Sequence, residues 1–441
     1  EVNLVDPYIA RIVCQKLGTK SRRIEDLNMF SESLPFGQKV SLTPSIKRIL
    51  SSYPFDKEIL KEFVQNADDA QATEMHFVLD TRTHPSKRVF GEEWKKLQGP
   101  ALSVFNNKPF SENDLKGIQS VGTGTKKLDP EKTGQYGIGF NSCYHFTDVP
   151  TLLTWGSAEI GKSLCIFDPL CQYIQHARSN EPGRMFKITE TTQRKYGDAL
   201  NCYLPGIFTE ESGVIFRLPL RTPEMAEVSE ISREIIYPWK VSSLLEELKS
   251  ELFRILLFTK HLTAISISEV DHKGRLKETY TVSITSGVLN RDAFVKELAA
   301  ARDQLKSNVS IAQIANTFSI YDLEIEDNRG GKETWRISQK LGFCNTELPG
   351  ILQETYKKEE FALMPVGGVA YLLNSTSTHA NINQVFCFLP LPIEVNFPVH
   401  INGHFALGFE NRRLVWTPGN TTSWKYQWNT HLCSDVIVPS Y

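Results

Sequence analysis

The chain has 441 residues, 41% of them hydrophobic and 23% charged, a balance that excludes a collagenous, fibrous or largely disordered polymer and suits two or three domains. The 49 Lys and Arg oppose 51 Asp and Glu, so the net charge of −2 gives no global field for nucleic acid or an anionic membrane surface. No apolar run approaches the roughly 18 residues that span a bilayer; the most hydrophobic stretches, such as 252–258, are of core size. The start Glu1-Val2-Asn3-Leu4 carries no initiator Met, basic region or apolar signal run, and no sorting signature closes the chain, which predicts a piece of a longer cytoplasmic protein. Eight scattered cysteines (14, 143, 165, 171, 202, 344, 387, 433), none in a CxxC pair, predict reduced and mostly buried thiols, with neither a zinc site nor a disulfide framework.

In chain order, residues 1–33 are mixed and polar, with one amphipathic patch at 8–17, and read as a lead-in. Thr43-Pro44 supplies an N-cap and a proline at the first helical position, and Ile46, Ile49, Leu50 and Tyr53 follow at helical spacing. A second helix is expected over 56–70, then strands at 74–79 and 102–105 and a short capped helix at Ser111-Glu112-Asn113-Asp114-Leu115. A glycine-rich stretch at 122–139 leads into a helix expected from Phe140, followed by strands near 151–155, 164–167 and 214–220. Helices mixed with strands bunched late predict an α+β two-layer sandwich over 34–222. Pro219, Pro223 and the polar run 224–232 mark a boundary, after which a second, β-rich α+β domain is expected over 223–441. It opens with a long helix at 242–258 and a strand at 263–270. Asp271-His272-Lys273-Gly274 and Asp327-Asn328-Arg329-Gly330-Gly331 read as turns between strands, 291–306 as a helix, and 385–416 as an apolar, proline-punctuated β-rich tail. No internal repeat or low-complexity segment is visible.

The second helix carries the most chemistry. At about 100° per residue, Ile59, Phe63, Ala67 and Ala70 share an apolar face bordered by Leu60 and Val64, while Glu62, Asn66 and Asp69 form a polar stripe beside it. Lys57, Lys61, Gln65 and Asp68 fall on the side expected to be fully solvated. A carboxylate, an amide and a carboxylate in line suit a metal–phosphate site, because an amide oxygen ligates Mg²⁺ and a carboxylate polarises water; a merely solvated flank has the same pattern. Gly134-Gln135-Tyr136-Gly137-Ile138-Gly139-Phe140-Asn141-Ser142 offers closely spaced glycines ahead of a helix, where backbone N–H groups can approach an anion. Tight turns use the same glycines. The dinucleotide fingerprint needs a glycine where Ser142 stands, and the P-loop spacing of Gly117 and Gly122 needs Lys where Thr123 stands, so both fail.

Taken in order, the E-x-x-x-N-x-x-D-A helix, the later G-x-G-F and the strand Ser212-Gly213-Val214-Ile215-Phe216-Arg217-Leu218 resemble the Bergerat ATP-binding fold of gyrase B, histidine kinases, MutL and the ninety-kilodalton heat-shock chaperones. The glycine run resembles the chaperone branch most. Leu34-Pro35-Phe36-Gly37-Gln38, the run 134–144 and the stretch from Leu391-Pro392 to His404-Phe405 further resemble the large repeats of the sacsin family, the second of them above all, over essentially 34–441. The resemblance implies Mg-ATP binding with Glu62 as general base, Asn66 as the Mg²⁺ ligand and Asp69 supporting the adenine side. It implies backbone donors to phosphate at Gly134, Gly137, Gly139 and Phe140, and a lid beginning at 122–127 in which Thr125 and Lys126 approach the nucleotide. It implies a chaperone-like module with weak or conditional hydrolysis, whose partners are client proteins, other chaperones and neighbouring repeats. The alternative is a degenerate, nucleotide-independent interaction scaffold.

Three departures from the family pattern predict weakened binding. Asn106, in Val104-Phe105-Asn106-Asn107-Lys108-Pro109-Phe110, stands where the family has an Asp that accepts from the adenine amine, and the glycines that should follow are absent. A neutral acceptor makes about half as strong a bond as a charged one. The span 115–134 is short for a lid, and Val214 replaces a Thr that reaches adenine. Elsewhere, His145 reads as a packing residue, His400 and His404 lie in a strand-and-turn segment that does not give helical zinc spacing, and Arg412-Arg413 reads as a solvated pair or as a second-domain contact to phosphate. Trp416, Trp424, Tyr426 and Trp428 supply either a partner surface or cover for an edge of the second domain.

Overall fold

In the computed structural model, the described residues are 42–52, 54–119, 140–174, 177, 179, 181–307, 309–344, 348–350, 352, 363–377, 382–407, 415 and 423–441. Fourteen strands among them form one mixed sheet: β1 Glu74–Asp80, β2 Ala101–Asn106, β3 Thr151–Trp155, β4 Ser163–Phe167, β5 Gly183–Lys187, β6 Gly213–Pro219, β7 Ala264–Val270, β8 Leu276–Ser286, β9 Thr317–Asp327, β10 Lys332–Leu341, β11 Val366–Ser375, β12 Gln384–Cys387, β13 Leu389–Glu394 and β14 His400–Gly403. Their spatial order is β13-β12-β14-β11-β10-β9-β8-β7-β1-β2-β6-β3-β4-β5. β1 pairs antiparallel with β2 and parallel with β7, so strands before and after residue 222 share one hydrogen-bonded ladder. Residues 42–441 form one compact unit.

The helices are α1 Leu42–Ser52, α2 Glu58–Asp69, α3 Glu112–Ile118, α4 Glu190–Lys195, α5 Gly197–Asn201, α6 Pro223–Val228, α7 Pro238–Lys249, α8 Leu252–Ile255, α9 Val288–Lys306 and α10 Trp424–Leu432. The capping box expected at α3 is present: Ser111 Oγ accepts from Asp114 N–H and the Asp114 carboxylate accepts from Ser111 N–H. The turn at 271–274 joins β7 to β8 with Gly274 at φ +83°, and the turn ending at Gly331 joins β9 to β10 with Gly330 at φ +94°. Both glycines occupy the left-handed region that a hairpin turn of this kind requires.

Alternation along the strands sorts the core. Met75, Phe77, Leu79, Leu102, Val104, Leu152, Val214, Phe216 and Leu218 point to the side where α1, α2, α7 and α8 pack. Val78, Phe105, Leu153, Leu164, Ile166 and Ile215 point the other way, against Trp94, Ala199, Leu200 and Tyr203. A third cluster joins Phe294 and Leu298 of α9 to Trp428 and Leu432 of α10 and to β11. Trp428, one of the aromatics of the tail, is buried and donates its indole N–H to His404 O at 2.9 Å; Trp416 lies outside the described residues.

Two expected helices differ. The one expected at 242–258 is two, α7 and α8, separated at Ser250 and Glu251, where Glu251 has φ −109° and ψ −7° and its carboxylate meets Lys61 at 2.6 Å. The one expected from Phe140 is a short 3₁₀ helix of two turns, Phe140–His145. Of the seven described cysteines, Cys143, Cys165 and Cys202 are buried, Cys171, Cys387 and Cys433 half-buried and Cys344 exposed, all as free thiols. Burial pushes Cys165 up to about 12 and Cys433 to about 11, which keeps both protonated and unreactive at neutral pH. No described helix is long and apolar enough to cross a membrane.

Candidate functional site

α2 has no exposed residue from Glu58 to Asp69. Its apolar face lies on the sheet, where Phe63 meets Phe216 of β6 edge-on at 5.7 Å. Of the side expected to be fully solvated, Lys57 and Gln65 are half-buried, whereas Lys61 and Asp68 are covered, each only 5% exposed. Lys61 Nζ contacts Glu251 at 2.6 Å, Glu58 at 2.8 Å and the Pro390 carbonyl at 3.2 Å. Asp68 accepts from the backbone N–H groups of Lys260 (3.0 Å), His261 (2.8 Å) and Leu262 (3.0 Å). A buried charge needs such compensation: Lys61 is ion-paired to two carboxylates, and the Asp68 carboxylate is satisfied by three backbone donors. A helical wheel shows which residues share a face; it does not show that chain beyond residue 250 returns to cover that face.

Glu62, Asn66 and Asp69 occupy the half-buried flank. Asp69 meets Lys260 at 3.4 Å, and the Lys260 ammonium lies over the Phe388 ring at 5.0 Å. Asn106 ends β2 opposite Met75 and Val214, 6% exposed, and alternation with Leu102 and Val104 puts it on the α2 side of the sheet. Its Oδ1 accepts from Lys108 N–H at 3.1 Å, an Asx turn that starts the following loop. Thr154 secures that loop, accepting from Phe110 N–H at 3.0 Å and donating to Gly213 O at 3.2 Å. Gly213 has no room for a side chain: a Cβ there would lie 2.7 Å from the Phe105 ring and 2.9 Å from Asn106 O.

Phe63, Phe110 and Phe140 all meet Phe216, and Phe140 also meets Phe167 at 5.2 Å. The helix bearing Glu62 and Asn66, the strand end bearing Asn106 and the turn bearing Phe140 are therefore gathered on one face of the sheet. Thr125, Lys126, Gly134, Gly137, Gly139, Arg412 and Arg413 lie outside the described residues. The far end of the Phe140 turn is held by Arg221, a fully buried guanidinium that follows β6. It donates to Tyr144 O at 2.6 Å and His145 O at 3.1 Å and pairs with Asp148 at 2.8 Å.

Sequence reasoning did not find Arg221, Asp68 or Lys260. Asp68 had one signal, the doubled Asp at 68–69, while Lys260 and Arg221 are single basic residues in apolar runs, a pattern shared by many snorkelling side chains. His145 packs on Phe55 with ring centroids 5.9 Å apart. His400 and His404 lie in and just after β14, as the strand reading expected, and each accepts a backbone N–H through Nδ1.

A family model described as "SACS: Sacsin domain" matches residues 39–281, more than half of the chain and the stretch that runs from α1 into β8. The chain belongs to the sacsin domain family. Sacsin of Homo sapiens is 41% identical over 449 residues, an alignment that takes in 98% of this chain and 10% of that protein. The sacsin-domain match contains α2, β2, the Phe140 turn and β6, and also α7, α8 and Lys260, so both sides of the Asp68 contact fall within it.

Proposed function

We propose that this sacsin-type chain is a nucleotide-binding, chaperone-like module of Bergerat type that acts in cytoplasmic protein quality control, with weak or conditional Mg-ATP hydrolysis. The observation that supports the reading is that the helix bearing Glu62 and Asn66, the strand end bearing Asn106 and the segment bearing Phe140 lie on one face of the sheet, with Phe63 and Phe140 both against Phe216. Half-buried Glu62 and Asn66 on one flank of a helix suit a hard cation and its water, since Mg²⁺ is held through one or two protein oxygens plus phosphate. Asn66 would ligate the ion through its amide oxygen, and bound Mg²⁺ would neutralise charge on the phosphates. Glu62 orients and deprotonates the attacking water. Asn106 retains a lone pair on Oδ1 for the adenine amine while accepting from Lys108, and Asp69, held by Lys260, supports the base end. Thr125, Lys126, Gly134, Gly137 and Gly139 would face the phosphates from the lid and glycine run.

The second reading is a nucleotide-independent scaffold that binds client proteins, other chaperones or neighbouring repeats. The neutral acceptor at Asn106 and the ion pair at Asp69 favour it. Calorimetric titration of the 441-residue chain with Mg-ATP and Mg-ADP decides between them. Saturable heat that is lost in Asn66→Ala supports the nucleotide module, and no heat with retained capture of an unfolded client supports the scaffold.

A further inference from the structure

His400, Asn402 and His404 alternate along β14 and the residue after it, and so share one face, while Ile401 and Phe405 belong to the cluster under α10. The three are 0%, 0% and 5% exposed. Each already uses one polar atom, always as an acceptor: Gln384 N–H donates to His400 Nδ1 at 3.0 Å, Phe388 N–H to Asn402 Oδ1 at 2.9 Å and Met364 N–H to His404 Nδ1 at 3.0 Å. A neutral imidazole that accepts through Nδ1 carries its proton on Nε2. The remaining atoms, His400 Nε2, Asn402 Nδ2 and His404 Nε2, are therefore all donors, and among the described residues none meets an acceptor. The charges felt by the two imidazoles have one sign, that of Arg254 at His400 and of Lys260 and Arg302 at His404, and the Phe388 ring under the Lys260 ammonium packs on the His404 ring at 5.1 Å. The segment after α8 lies over this row, with Phe258 on Phe386 at 5.1 Å and Lys260 over Phe388, and Phe386 is the parallel partner of Asn402.

We propose that Asn402 and His404, with Lys260 as counter-charge, form a binding site for one small acceptor-only anion, a halide or a single oxyanion. Residues i and i+2 of a strand are about 7 Å apart, so their N–H groups can converge on one atom between them. A water placed there must also donate its own protons, whereas an anion only accepts and offsets the surrounding cations as well. The site does not depend on nucleotide binding, although Lys260 also pairs with Asp69 of α2.

The test uses the 441-residue chain, melted at constant ionic strength while sodium gluconate is replaced by chloride, bromide or phosphate, with ATP as a separate arm. Chloride, bromide or phosphate should raise the melting temperature saturably. Crystals soaked in bromide should give an anomalous peak within hydrogen-bond distance of Asn402 Nδ2 and His404 Nε2. Asn402→Asp keeps the acceptor for Phe388 N–H and sets a carboxylate where the anion sits, so it should abolish the anion response. Lys260→Met should weaken half-saturation about tenfold, the loss of one charged partner. If Asn402→Asp does not fold, Lys260→Met and the bromide map decide. No anion-specific shift together with no anomalous peak overturns the proposal. So does a response unchanged in both variants, or one produced by ATP alone and indifferent to Lys260→Met.

Discussion

Glu62 and Asn66 lie one helical turn apart on the same half-buried flank, yet their loss should differ in kind. A general base is needed only in the transition state, so Glu62→Ala should abolish turnover while leaving Mg-ATP binding nearly intact; Asn66→Ala should weaken the metal-dependent part of binding. Single-turnover kinetics beside calorimetry separates the two, and equal loss of binding in both variants would refute the assignment. At the base end, Asn106→Asp should tighten nucleotide binding about tenfold by restoring a charged acceptor. The Asx turn to Lys108 survives that change, since Asp offers the same oxygen. Arg221 is a structural counterpart to these residues: it is fully buried, and its loss strands the Asp148 carboxylate and two carbonyls of the Phe140 turn. Arg221→Ala should destabilise the fold by about 3–5 kcal/mol in urea unfolding, the usual cost of breaking a buried pair.

At the scale of elements, β1, β14 and the residue after β14 carry a pH dependence that the net charge conceals. Burial pushes His400 and His404 down to about 3 and His76 on β1 to about 4. The unfolded chain takes up protons near pH 6.5 while the folded chain does not, so stability is whole above that pH and falls as pH drops toward the folded values. Each imidazole contributes up to about 1.4 kcal/mol per pH unit in that window. Urea unfolding between pH 7 and 4.5 should therefore show falling stability that His400→Gln, which removes one titrating group, makes shallower. β6 sets a different limit. Because a Cβ at Gly213 would strike the Phe105 ring and the Asn106 carbonyl, Gly213→Ala should cost about 1–3 kcal/mol and displace the Asn106 strand end; an unchanged melting temperature would contradict this packing.

At the scale of the whole molecule, the parallel pairing of β1 with β7 and the three N–H groups that Asp68 accepts join the α2 region to chain beyond residue 222. A 34–222 fragment leaves an edge of β1 unpaired and the Asp68 carboxylate without those donors. It should therefore melt below the full chain and aggregate more readily, as light scattering on both would report.

Local pattern was enough to foresee most strands, the α3 capping box, both hairpin turns and the polar stripe on α2, because each depends on spacing within a dozen residues. The sacsin family was also legible in the order of its motifs. What the sequence could not disclose is set by chain that returns from far away. Lys61 and Asp68 look solvated on a wheel and are buried because 251, 260–262 and Pro390 fold back over them. The helix expected over 242–258 is interrupted at Glu251, the residue whose carboxylate meets Lys61, 190 positions earlier. That the remaining polar atoms of His400, Asn402 and His404 are donors follows from three backbone N–H groups on other segments, which fix the two imidazole tautomers and the Asn402 amide orientation. Periodicity specifies which face a residue takes; what covers that face, and hence which charges and protons it holds, is decided only when distant segments pack together.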